Sequence, residues 1–178
     1  VDLANEDDIK NLVLDVIQDF EHIDILFNNA GIIKRTTCLD ISAQEWDMVF
    51  DVNVRAIFLM CKYVIPHMRK AGAGSIINTG SGWGLKGGGQ ALSYCASKGA
   101  VVNMTRALAI DHGPDNIRVN SVIVAECYTP MYEKWIQTLE NPTEKLESIT
   151  SKIPLGQRRT TKEEIGNMVT FLMSPKAS

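Results

Sequence analysis

The feature that most constrains this chain is the alternation of short apolar runs with longer stretches of helical period. Residues 23–27, 75–79 and 117–124 are brief runs built around Ile, Val, Leu and Phe, and each is flanked by Asn or Gly. Runs this short and this rich in branched side chains read as buried strands. Between them, Ile9, Leu12, Val13, Val16, Ile17 and Phe20 recur every 3.6 residues and predict an amphipathic helix over 6–20. Ser42 with Glu45 forms a capping box opening a long helix over 43–70, followed by Gly72 and Gly74. A further helix over 92–112 is stopped by Gly113-Pro114. Residues 130–150 read as a helical insertion interrupted at Asn141-Pro142, and Thr161 with Glu164 caps a last helix over 162–173.

Strands that alternate with helices, each strand almost wholly apolar, imply a parallel sheet covered on both faces. The expected fold is therefore α/β, a doubly wound parallel sheet of Rossmann type, forming one domain over 1–178. Such sheets carry about six strands, and each strand-helix-strand unit takes about 30 residues. With three strands, and Val1 as its first residue, the chain reads as a fragment lacking the first such units and the last strand.

Composition narrows the function classes. Of the 178 residues, 45% are hydrophobic and 22% charged, the balance of a soluble globular protein with room for one core. A net charge of -3 leaves no basic surplus for nucleic acid. No apolar run approaches the roughly 20 residues that span a bilayer, and the acidic start 1–8 is unlike a signal peptide. A cytoplasmic protein is expected, with neither nucleic acid nor membrane as partner. Cys38, Cys61, Cys95 and Cys127 are scattered, and His22, His67 and His112 have no zinc-type spacing to them. Free packing thiols and no metal site follow.

Tyr94 and Lys98 stand four apart at the start of the helix over 92–112, which puts phenol and ammonium on one face. A phenol with a pKa of about 10 is a poor base. A cation nearby can lower that value by about 1–3 units and make it a usable proton donor and acceptor. The same pair also suits an ordinary solvated helix face. Ser81 lies just past a strand, at the carboxyl edge where open α/β sheets bind ligands, yet a serine in a glycine-rich turn needs no function. Asn53 interrupts an apolar helical stretch, either as a satisfied structural amide or as a polar relay. In 28–31, Gly31 permits close backbone approach to a ligand or simply ends a strand. Trp83 reads as a pocket wall or a cover for the sheet edge. Arg158-Arg159 with Lys162, offset by Glu163-Glu164, reads as an exposed loop, and Cys95 as packing.

Together these residues resemble the short-chain dehydrogenase/reductase family over the whole chain. Asn28-Asn29-Ala30-Gly31 is similar to its Asn-Asn-Ala-Gly motif, Asn53 to its helix asparagine, and Ser81 to its serine, with Tyr94 thirteen residues later. Tyr94 and Lys98 form its Tyr-x-x-x-Lys signature, and 117–120 and 129–131 match segments beyond it. Asp2, 26 residues before Asn28, looks like the aspartate that meets the adenine ring, with Leu3 beside it.

The resemblance implies an NAD(P)-dependent oxidoreductase that interconverts a secondary alcohol and a ketone by hydride transfer. Tyr94 is then the general acid/base, Lys98 lowers its pKa and holds the nicotinamide ribose, Ser81 orients the substrate oxygen, and Asn53 supports a water-linked proton relay. Asp2, Leu3, Asn28, Asn29, Ala30, Gly31, Tyr94, Lys98, Cys127 and Thr129 are the implied contacts to NAD or NADP. A small alcohol or ketone is the implied substrate. A homo-oligomer, dimer or tetramer, is implied too, paired through the helices over 43–70 and 92–112, where Ala96, Ser97, Gly99 and Ala100 allow close approach.

Two departures stand out. The family's glycine-rich phosphate loop and its determinant of NAD against NADP have no counterpart in these residues. Val124-Ala125 stands where relatives carry Pro-Gly, which predicts a displaced loop at Cys127 and Thr129. They motivate an alternative reading, a non-catalytic truncated remnant or scaffold unable to bind dinucleotide.

Overall fold

Three parallel strands, β1 (Ile25–Asn28), β2 (Gly74–Ser81) and β3 (Ile117–Val124), form a sheet in the order β1-β2-β3. The computed structural model describes residues 1–177. In register, Leu26 faces Ile76, Ile76 faces Val119, and Ser81 faces Val124. β2 runs two residues beyond the expected 75–79, so Ser81 is its last residue rather than part of the following turn.

The helices are α1 (Glu6–Phe20), α2 (Ala43–Phe50), α3 (Ala56–Ala71), α4 (Trp83–Lys86), α5 (Leu92–His112), α6 (Pro130–Ile136), α7 (Pro142–Thr150) and α8 (Lys162–Met173). Asn5 caps α1 by accepting from the amides of Asp7 and Asp8, and three acidic residues in the first turn complement the helix dipole. The capping boxes Ser42/Glu45 and Thr161/Glu164 are both formed. The expected single helix over 43–70 is instead α2 and α3 joined by a π-helical turn, Asp51–Arg55. Such a turn inserts one extra residue into the helix. Gly72 ends α3 at φ 81, a left-handed position suited to glycine.

Alternation along the strands sends side chains to two covered faces. Leu26, Ile76, Ile117 and Val119 pack with Val64 and Met68 of α3 and Val101 of α5. Burying each such aliphatic side chain contributes about 1.5–3 kcal/mol. Ser75 and Arg118 face the other way, where the Ser75 hydroxyl donates to the Leu172 carbonyl (3.2 Å) and Arg118 Nη1 to the same oxygen (2.8 Å). A guanidinium at the last turn of α8 also suits the negative end of that helix. The sheet is thus wound on both faces around β2 and β3, leaving its carboxyl edge to the loops after each strand. All four cysteines are free. Among the described residues no helix is long and apolar enough to cross a membrane.

Candidate active site

The carboxyl end of β2 sets the site. Ser81 closes the strand, α4 follows at once, and α5 begins so that Tyr94 lies in its first turn. The Ser81 hydroxyl accepts from the Trp83 amide (3.2 Å), and the Trp83 ring stands edge-on to Tyr94 with centroids 6.3 Å apart. Gly84 lets α4 lie directly on α5. A methyl there would come within 2.6 Å of the Lys98 carbonyl carbon, closer than packed atoms approach. Burial pushes the half-buried Tyr94 phenol above its ordinary value, while the neighbouring Ser81 hydroxyl and the Arg35 charge pull it back.

Lys98 is 3% exposed. Its ammonium donates to the Thr79 carbonyl (2.6 Å) and stands 5.8 Å from the Tyr94 ring centre. Desolvation lowers it to about 8. The helix spacing does bring the two side chains to one face, but Lys98 is not among the groups that move the phenol, whose shift is set first by its own desolvation. The long lysine chain reaches past the ring to the strand edge, and desolvation of the phenol outweighs its charged neighbours.

Asn53 lies on the π-helical turn and is fully buried. Its Oδ1 accepts from the Ile32 amide (2.8 Å), and its Nδ2 donates to the Ile32 carbonyl (2.9 Å) and the Ser97 hydroxyl (3.0 Å). Ser97 in turn donates to the Tyr94 carbonyl (2.8 Å), so one amide ties the loop after β1 to the first turns of α5. Both Asn53 donors are used within the chain. Gly31 sits over this junction, where a methyl would stand 3.3 Å from Asn53 Oδ1 and 3.5 Å from Lys98 Nζ. The small residues expected to admit a second copy are partly spent here, because Ser97 is buried against Asn53 and Gly99 faces the Gly84 carbonyl.

Of the other expected contacts, Leu3, Asn28, Asn29 and Ala30 line a cleft at the carboxyl end of β1 with Val52, Ala56, Ile57 and Met60. The Asn28 side chain itself turns into the core, donating to Asn78 Oδ1 (2.9 Å), and Asn78 donates to the Thr105 hydroxyl (2.9 Å). Asn29 remains at the edge and accepts from the Thr79 hydroxyl (3.1 Å). Asp2 is exposed outside the cleft lining, and its Oδ1 accepts from the Ala4 amide (2.9 Å). Thr129 caps α6 by accepting from the Tyr132 amide (3.2 Å). Cys127 is buried and its backbone bridges to Thr160, beside the bond from the Thr160 amide to the Glu126 carbonyl (2.9 Å). The side chains of Asp2 and Thr129 therefore have local structural partners, and that of Asn28 is held by Asn78 in the core.

A second layer over the site escaped sequence reasoning. Arg35 Cζ lies 3.7 Å from the Trp135 ring centre and 5.2 Å from that of Trp83. Trp135 meets Tyr132 edge-on (5.1 Å), Tyr132 meets Tyr128 (5.9 Å), and Arg159 Cζ lies 4.7 Å over Tyr128. Burial and then the Glu126 carboxylate push the Tyr132 phenol up to about 12. The reading of 158–159 as an exposed loop holds for Arg158, which pairs with Glu164 (2.6 Å), but not for half-buried Arg159. The available signal was the spacing of Tyr128, Tyr132 and Trp135, one aromatic stripe at helical period.

Comparison with known proteins agrees with this geometry. The family model described as enoyl-(acyl carrier protein) reductase matches residues 1–178. The meso-2,3-butanediol dehydrogenase of Serratia marcescens is 35% identical over 178 residues, covering 100% of this chain and 68% of that protein. The cyclopentanol dehydrogenase of Comamonas testosteroni is 40% identical, covering 100% of this chain and 69% of its own length. Among solved structures, levodione reductase superposes with a TM-score of 0.94 at 33% identity, over 99% of this chain and 69% of that one. NAD+-bound xylitol dehydrogenase gives 0.92 at 29% identity, over 99% and 72%. The likeness spans every element from α1 to α8. This chain belongs to the short-chain dehydrogenase/reductase family.

Proposed function

We infer that the chain interconverts a ketone and a secondary alcohol, using NAD or NADP, with Tyr94 as general acid and base. The observation that carries this reading is the meeting of the Ser81 and Tyr94 hydroxyls at the carboxyl end of β2, one helical turn from the buried Lys98 ammonium. The Ser81 hydroxyl accepts from the Trp83 amide, which leaves its own proton to be given, so a carbonyl oxygen beside it and Tyr94 accepts from both. In the reducing direction the Tyr94 proton passes to that oxygen. In the oxidising direction the phenolate takes it back. The bound nicotinamide supplies or receives the hydride, chemistry no side chain offers.

The residues present fit such a group. Leu3, Val52 and Ala56 give the β1 cleft apolar walls, Asn29 gives it an amide, and Gly31 keeps the path toward Lys98 free of side chain. Asn29, Ala30, Gly31 and Lys98 would hold the nicotinamide end, with Leu3 at the far wall. The alcohol dehydrogenases among the relatives support a substrate with oxygen on the reacting carbon. So does Ser81, a second donor that reduction of a carbon-carbon double bond does not call for. Pairing with a second copy through the face of α3 and α5 around Phe58, Met104 and Leu108 is part of the same reading, and sedimentation of the protein as a single monomeric species would contradict it.

The test is titration with NADH and NADPH by fluorescence, followed by turnover of simple ketones. Saturable binding of at least one coenzyme and its oxidation on adding a ketone are expected. Absence of both would favour a scaffold unable to bind dinucleotide.

A further inference from the structure

Four buried side-chain atoms without a hydrogen-bond partner gather on the second layer and the segment leading to it: Arg35 Nε, Thr36 Oγ1, Tyr132 Oη and Arg159 Nη1. Buried polar groups in folded proteins are almost always satisfied, so orphan atoms concentrated in one region point to a missing partner there. Two of the four are hydroxyls and two belong to guanidiniums, which can only donate.

Arg35 is the focus. Its guanidinium is clamped between Trp135 and Trp83, and Trp83 is in edge contact with Tyr94. Stacking on the rings fixes the plane of the fork and leaves its donor edge free. The other buried or bonded arginines have their partners: Arg55 has Glu6, Arg69 has Asp115, Arg118 has the carbonyls ending α8, and Arg158 has Glu164. Among the described residues no carboxylate forms a salt bridge to Arg35 or Arg159. The acidic groups acting on Arg35 are the Tyr132 and Tyr94 phenols and Glu126. Both phenols stay protonated near neutral pH, so Glu126 alone opposes two guanidiniums and the layer carries a positive charge.

Resting on the ketone and alcohol reading of Tyr94, we propose that the substrate carries a carboxylate, which docks on the free edge of Arg35 beneath Trp135 and is backed by Arg159. The substrate class is then an oxo acid and its hydroxy acid, rather than a neutral ketone. Arg35 acts as a specificity-determining residue. It holds the charged end while the reacting carbonyl reaches Tyr94 and Ser81, and a carboxylate suits the planar fork by accepting two parallel hydrogen bonds.

The experiment compares two probes that differ in charge and hardly in shape, acetoacetate and acetoacetamide. Trp83 and Trp135 flank the docking edge, so quenching of tryptophan fluorescence reads binding without any turnover. The acid should bind about 10–100-fold more tightly than the amide, the range for a hydrogen-bonded charged group. Arg35→Met should bring that ratio to about 1, and a circular dichroism melt would verify that the variant folds. If Arg35→Met fails to fold, Arg159→Gln, at the layer's edge, should still lower the ratio by at least about threefold. Equal affinity for the two probes, no saturable response to either, or a ratio unchanged by the substitutions overturns the proposal. Inorganic phosphate binding as tightly as acetoacetate overturns the carboxylate in favour of a phosphorylated substrate. Loss of the charge preference while neutral ketones still turn over leaves the Tyr94 reading intact. A charge preference in a protein that turns over neither probe contradicts that reading and keeps the anion site.

Discussion

The Lys98 ammonium is bonded at 2.6 Å to the main-chain carbonyl of Thr79, the residue two before the end of β2. A helix side chain is thereby fastened to the sheet edge beside the Ser81 and Tyr94 hydroxyls. With Gly84 allowing α4 to lie on the Lys98 backbone, the strand end and the first turns of α5 form one unit.

Lys98 gives stability a pH dependence of definite sign. Its folded value of about 8 lies below the ordinary lysine value of 10.5, so between those two the unfolded chain binds more protons. Stability therefore rises with pH across that window, by roughly 3 kcal/mol from this group alone. Urea unfolding of the protein and of Lys98→Met should show the variant's advantage at about pH 7 shrinking by about pH 10. An advantage that does not change with pH would contradict the buried ammonium.

Asn53 makes three hydrogen bonds, to Ile32 and Ser97, while fully buried. Asn53→Ala leaves those partners unsatisfied and should cost about 2–4 kcal/mol in chemical denaturation. A loss under about 0.5 kcal/mol would mean that solvent replaces the amide without penalty.

Gly84→Ala puts a methyl 2.6 Å from the Lys98 carbonyl carbon, against backbone that cannot swing away. Destabilisation of about 1–3 kcal/mol is expected, with weaker coenzyme binding as Lys98 is displaced. Thermal melts and NADH titration of the variant read the two effects. Gly89→Ala, in open space, is the control and should melt within about 0.5 kcal/mol of the parent.

The phenol gives activity its own sign. Reduction uses protonated Tyr94 and oxidation uses the phenolate, and burial keeps the group above its ordinary value. From about pH 6 to about pH 7.5, below the point where Lys98 sheds its proton near 8, kcat/KM for ketone reduction should stay level while that for alcohol oxidation climbs close to tenfold per unit. An oxidation profile already flat near pH 7 would place the phenol far lower than its surroundings do.

Much of this was legible in the sequence because it is periodic or local. The strand runs, the capping boxes at Ser42 and Thr161, and the spacing of Ser81, Tyr94 and Lys98 all survive in three dimensions. The failures are of another kind. The π-helical turn at Asn53 changes hydrogen-bond register without a compositional mark. The direction of Lys98 depends on Thr79, nineteen residues away on another element. Burial of the phenol, which decides its proton affinity, is a property of the assembled core. Arg35 belongs to no motif in the sequence, and its meaning comes from Trp135, a hundred residues on. Asp2 and Thr129 were read for a ligand, yet short polar side chains beside helix starts readily bond local amides, as both do here.

The central claim is that the Tyr94 hydroxyl moves the proton that accompanies hydride transfer. Its most direct measurement is single-turnover reduction of a ketone by 4-deuterated NADH or NADPH, in the protein and in Tyr94→Phe. The account predicts deuterium on the alcohol carbon with the unsubstituted protein, and a rate about 10²–10⁴-fold lower in the variant at unchanged coenzyme affinity. Tyr94→Phe proceeding within about twofold of the unsubstituted rate would contradict it.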